Sequence, residues 1–205
     1  MPLSDWLFRP FEHLDMRTTL LGGLIAISLT AWLAARVGLQ TDGVLTLRFS
    51  EDDASTLALL GQGLINWLVL SLSLFLAGRW LAPSRVAALD LLATQAGART
   101  PLLLSVLYLS IPPVGERIRQ LSVDLLTAMP SEPGQVMADA LYLGDAFILT
   151  LFSLPLLFFL GWMVWLMFHG YRTTTRLAGP QAFFSFSVAL IVTYFLTRGL
   201  TSLLS

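Results

Sequence analysis

The chain has 205 residues, 56% of them hydrophobic and only 12% charged, and its formal net charge is −1. A soluble domain carries about 25% charged residues, so this sequence has too little polar surface to cover a water-soluble globule, and its near-neutral balance excludes the basic field that a nucleic-acid partner requires. It contains no cysteine, which excludes disulfides and thiol chemistry.

The apolar residues fall in long runs, to be matched against the ~20 residues a helix needs to cross hydrocarbon. Ahead of the first run, DWLFRPFEHLD places Trp6, Phe8 and Phe11 where aromatic rings anchor a chain at headgroup level. The first run, residues 18–39, reads as a retained span rather than a secretory signal. The segment before it carries Asp5, Glu12 and Asp15 against Arg9 and Arg17, whereas the leading region of a signal is basic. Within this run Ala31 with Ala35, and Ala34 with Gly38, give small-residue spacing for close helix packing. Residues 40–56 form the first outer loop, where a DG turn signal precedes the alternating run VLTLRF, suited to a short hairpin in an ordered cap. Glu51, Asp52 and Asp53 then read as a solvated, helix-initiating acid run rather than a cation site.

The second run, residues 57–77, carries Gln62 and Asn66 one turn apart. Their amides either bond across helices or line a polar path. The third run, residues 96–114, is the weakest, because PLLLSVLYLSIPPV alone is shorter than a crossing requires. The upstream ALDLLATQAGART lengthens it, with Asp90, Gln95 and Arg99 turned towards protein, and Pro112 and Pro113 end it. It is read as a full span, with a re-entrant helix as the alternative. In the second outer loop, residues 115–145, ERIRQLSVDLLTAM sets Ile118, Leu121, Leu125 and Met129 at helical spacing, the pattern of an amphipathic surface helix, and SEPG breaks it. The fourth run, residues 146–168, opens at Asp145, which suits the positive end of a helix, and contains Pro155, which kinks a helix and frees a carbonyl. The fifth, residues 181–203, includes Arg198, long enough to snorkel to an interface. The expected fold is an all-α integral membrane protein, one bundle of five transmembrane helices with short amphipathic surface helices.

Five spans divide the polar segments into two sets. The N-terminus with connectors 78–100 and 169–180 holds seven arginines (9, 17, 79, 85, 99, 172 and 176) against four acids, a net +3. The remaining segments hold five arginines against nine acids, a net −4. Short arginine-bearing segments stay cytoplasmic, so FHGYRTTTRLAGPQ reads as a cytoplasmic turn, with the N-terminus inside and the C-terminus outside.

The two histidines, His13 and His169, lack metal-ligand spacing, and no nucleophile elbow, phosphate loop or dinucleotide fingerprint is present. No catalytic, cofactor or metal residue is therefore assigned. Two candidate sets remain: Gln62, Asn66, Asp90, Gln95 and Arg99 as a polar cavity or interhelical contacts, and His169, Arg172 and Arg176 as contacts on the cytoplasmic face.

Two stretches, DLLATQAGARTPLLL at 90–104 and GWMVWLMFHGYRTTTRLAGPQAFFSFSVALIVTYFLTRGL at 161–200, resemble bacterial members of the Yip family, named after Ypt/Rab-interacting membrane proteins. DGVLTLRF at 42–49 fits the same pattern. All twelve basic residues are arginine, as GC-rich coding in a bacterium would give. The resemblance implies five spans, a cytosolic N-terminus, an exterior C-terminus and no active site. The expected role is that of a non-enzymatic inner-membrane protein, organising membrane or acting as a scaffold, with membrane lipids, a second copy or another membrane protein as partner. The alternative is a small transporter, channel or lipid-handling protein using the polar set. An intramembrane enzyme is a distant third reading, for want of a reactive pair.

Overall fold

The computed structural model describes residues 7–41, 44, 47–49, 55–82, 86–128 and 143–204. Trp6, the acid run 51–53, Arg85 and Met129 lie outside the described residues, as do the side chains of Leu125 and Asp145.

A 3-10 turn at Pro10–Glu12 precedes α1, Met16–Arg36. Asp15 caps α1, its carboxylate accepting from the Thr18 backbone N–H at 2.7 Å. Hydrogen bonds from the Thr18 side chain and then its backbone hold the Asp15 carboxyl below the usual carboxylate range. Gly38, at φ 66°, turns the chain into strand β1, Leu39–Thr41. It pairs antiparallel with β2, Leu47–Phe49, in the register Leu39 to Phe49. The expected hairpin is present, but its first strand lies upstream of the DG pair.

Helix α2, Thr56–Leu81, is capped by Ser55, whose hydroxyl accepts from the Ala58 N–H at 3.2 Å. The third run is broken in two: α3, Ala88–Gly97, and α4, Thr100–Leu109. Pro101 has no N–H to give the Gly97 carbonyl, and the Thr100 hydroxyl donates there instead at 2.8 Å. Helix α5 is Pro112–Ala128. Helix α4 stops at Leu109, just ahead of the Pro112–Pro113 pair, and the same prolines open α5, as suits a residue that lacks a first-turn donor. Helix α6, Leu143–Thr175, contains Pro155, and α7 is Gly179–Leu204.

The expectation of a turn over 169–180 is corrected. Helix α6 continues through Thr175, and only 176–178 are non-helical. Apolarity stops at Phe168, but the helix runs on through FHGYRTTT, because the length of a helix is not set by its apolar part.

The bundle has two ends. The proximal end gathers Met16 of α1, Ala87 before α3, and Thr173 of α6 around one cavity. The distal end packs Ala34 and Leu39 with Leu59 of α2, Leu109 of α4, Val114 and Ile118 of α5, and Phe152 of α6. The main chain therefore runs from proximal to distal and back, with α3 and α4 together covering the same distance as each long helix. Among the described residues, four helices are long and apolar enough to cross a membrane: Met16–Arg36, Thr56–Leu81, Thr150–Thr175 and Gly179–Leu200.

Large apolar side chains cover the outside. Leu21, Ile25, Leu29 and Trp32 make an exposed stripe on α1, and Phe184, Val188, Ile191 and Phe195 make one on α7, with Phe195 67% exposed. Stripes of this kind on several helices suit a lipid surround, since soluble monomers seldom expose contiguous apolar patches. The interior packs backbone to backbone where residues are small. A Cβ at Gly23 would overlap the Ala96 backbone, so α1 and α3 touch there without a side chain between them. The pairs Ala31/Ala35 and Ala34/Gly38 do not mark the closest approach, although Ala31 and Ala34 are buried.

The N-terminal segment folds back onto α6. The indole N–H groups of Trp162 and Trp165 donate to the carbonyls of Leu7 and Phe8, at 3.0 and 3.3 Å. Phe11 stacks on His169, ring centroids 6.3 Å apart.

Candidate functional site

The five residues grouped as one polar set separate into two places. Asp90 is exposed and lines the proximal cavity, whereas Gln95 and Arg99 are buried in the bundle and Asn66 is buried on α2. Helical geometry accounts for the separation. Residues five apart on one helix stand roughly 140° apart in angle, so Asp90 and Gln95 leave α3 in different directions.

The inner part centres on the break between α3 and α4. Gln95 donates through Nε2 to the Met167 carbonyl of α6 at 3.0 Å. Nearby, the Trp67 indole of α2 donates to the Leu92 carbonyl at 3.1 Å. Both bonds cross between helices. Arg99 is 3% exposed. It faces α1 and α2 in a cleft of about 20 Å³ lined by Thr30, Ala34, Leu59 and Gly63. Among the described residues no acceptor bonds its Nε or Nη2, and the Gln95 and Gln62 Oε1 atoms are also buried without a donor. Arg99 was expected in a cytoplasmic connector. Its burial removes it from the charge count and leaves six arginines on that side against five. Pro101, by breaking the helix, sets the residue at the middle of the third element instead of at its end.

The outer part is a cavity of about 380 Å³ at the proximal end. Its wall is formed by Phe11 and Leu14 of the N-terminal segment, Met16 and Thr19 of α1, Asp90 and Thr94 of α3, Thr173 and Thr174 of α6, and Arg176 just after it. Asp90 and Arg176 thus enter one cavity from different elements, a juxtaposition that the separate sequence groupings did not anticipate. The other two members of the cytoplasmic-face set lie elsewhere. His169 Nε2 is 3.6 Å from the Glu12 carboxylate, too far for a hydrogen bond but close enough for an ion pair when the ring is protonated. The Arg172 guanidinium lies over the Phe168 ring at 5.8 Å.

The carbonyl freed by Pro155 belongs to Leu151. One residue along, the Tyr108 hydroxyl donates to the Phe152 carbonyl at 3.3 Å, joining α4 to α6. Among the described residues no group of three or more His, Asp or Glu side chains has the arrangement to hold a metal. No family model, curated protein or solved structure matches the chain.

Proposed function

We propose that the chain is a non-enzymatic multi-pass protein of a bacterial inner membrane, of the Yip type, that organises membrane or partner proteins through its packed surface. In this reading the bundle crosses the bilayer five times. The broken α3–α4 pair is the third passage, the proximal end is cytoplasmic, the C-terminus is outside, and α5 lies along the outer surface.

The observation that carries this reading is the close packing in the middle of the bundle among the described residues. Gln95 and Trp67 bond there from helix to helix, and the cleft beside Arg99, about 20 Å³, has room for about one water and no passing solute. The exposed apolar stripes supply the lipid or partner contact.

A second reading, a small transporter or channel, is favoured by the unbonded Arg99 donors at a broken helix. Unwound segments of that kind line solute sites in transporters. Accessibility separates the two. The natural chain has no cysteine, so single cysteines at position 66 or 95 report alone. In membranes, both are expected to resist a water-soluble maleimide. Labelling of both would replace the packing role with a hydrated path.

A further inference from the structure

We propose that the proximal cavity binds the phosphoethanolamine headgroup of a membrane lipid. The inference deepens the reading above and rests on it, since that reading sets this end of the bundle at the cytoplasmic headgroup layer.

Four threonines line the cavity, and the proton of each is committed elsewhere. The Thr19 hydroxyl donates to the Asp15 carbonyl at 2.8 Å, and that of Thr94 to Leu91 at 3.1 Å. The Thr173 hydroxyl donates to Gly170 at 3.0 Å or His169 at 3.1 Å. The Thr174 hydroxyl donates to Gly170 at 2.9 Å or Tyr171 at 3.1 Å. A hydroxyl has one proton, so each of these presents only lone pairs to the cavity. The Asp90 carboxylate adds acceptors and a negative charge. A wall made this way favours a group rich in donors and positively charged, which is a primary ammonium with its three N–H bonds.

Arg176 supplies the opposite charge. It is the cation of the cavity wall, and neither it nor Asp90 has an ion-pair partner among the described residues. Its backbone sits at φ 57°, the left-handed conformation that follows a helix end and favours glycine. Guanidinium pairs with phosphate through parallel N–H bonds. An ammonium near Asp90 and a phosphate near Arg176, joined by a short link, make phosphoethanolamine. A trimethylammonium headgroup carries the same charge but has no N–H to give the threonines.

The test measures thermal unfolding of the purified full chain in detergent. Micelles are doped with phosphatidylethanolamine or with phosphatidylcholine of the same acyl chains, and free phosphoethanolamine is a separate arm. The ethanolamine lipid is expected to raise Tm and the choline lipid to leave it unchanged. Asp90→Asn should weaken the apparent affinity for the ethanolamine lipid roughly tenfold, as the loss of a charge-assisted bond implies. Arg176→Gly should raise Tm without lipid, by relieving the backbone, and lose the lipid response. Equal shifts from both lipids, or an unchanged response in Asp90→Asn, would overturn the proposal. A shift from free phosphoethanolamine as large as that from the lipid would support the ammonium–phosphate site and overturn a lipid as its source. A missing response in a chain that still resists carbonate extraction from membranes would overturn the headgroup site and leave the membrane reading standing.

Discussion

Arg99 shows how one residue can be read correctly in chemistry and wrongly in place. A guanidinium is charged at any physiological pH, so a burial of this depth without a bonded acceptor among the described residues is costly. Replacing it with an apolar side chain of similar length should remove that cost. Arg99→Met is expected to stabilise the detergent-purified chain by about 1 kcal/mol or more, read as a rise in Tm with α-helical circular dichroism unchanged. A fall in Tm would mean that the guanidinium has bonds that hold the α3–α4 break together. The sequence showed Gln95 and Arg99 as polar residues that must face protein, and both do. Grouping Asp90 with them ignored its angle on the helix. The pairing of Asp90 with Arg176 was not legible, because it joins α3 to the turn after α6, two elements far apart in the chain.

Among the elements, the long apolar helices were legible because hydropathy and length report them directly. Residues 18–39 and 57–77 correspond to α1 and α2 to within a few residues at most ends. Helix ends were less legible. The polar sequence FHGYRTTT carries no apolar signal, yet its threonines satisfy themselves by donating to carbonyls three and four residues back, as Thr175 does to Tyr171 at 2.7 Å. The broken third element had a visible cause in Pro101, but its register against α1 depends on Gly23, whose partner Ala96 no local pattern reveals. Any side chain at position 23 must push α3 away, since the obstacle is backbone. Gly23→Val is therefore expected to destabilise the bundle by about 1–3 kcal/mol, measured as a drop in Tm. Gly61→Val, where added atoms meet nothing within 4 Å, should be close to neutral by comparison. Equal losses in the two variants would show that helix propensity, and not the α1–α3 contact, sets the cost.

On the scale of the whole molecule, the arrangement follows from a solvent that is apolar around the middle and polar at both ends. Large apolar side chains point outward on α1, α2, α6 and α7, small residues close the interior, and the N-terminal segment and the α6–α7 turn meet at one end. The charge count that orients this bundle is narrow once Arg99 is buried, at six arginines against five. Sidedness thus rests on few residues, and it is the central claim to test. The direct measurement is labelling of intact cells by a membrane-impermeant maleimide, using single cysteines at Pro2, Ala87, Ile111 and Ser205 in the cysteine-free chain. Five passages with the proximal end inside predict that positions 111 and 205 label in intact cells and that positions 2 and 87 label only after permeabilisation. Labelling of positions 2 and 205 from the same side would show an even number of passages and contradict the account.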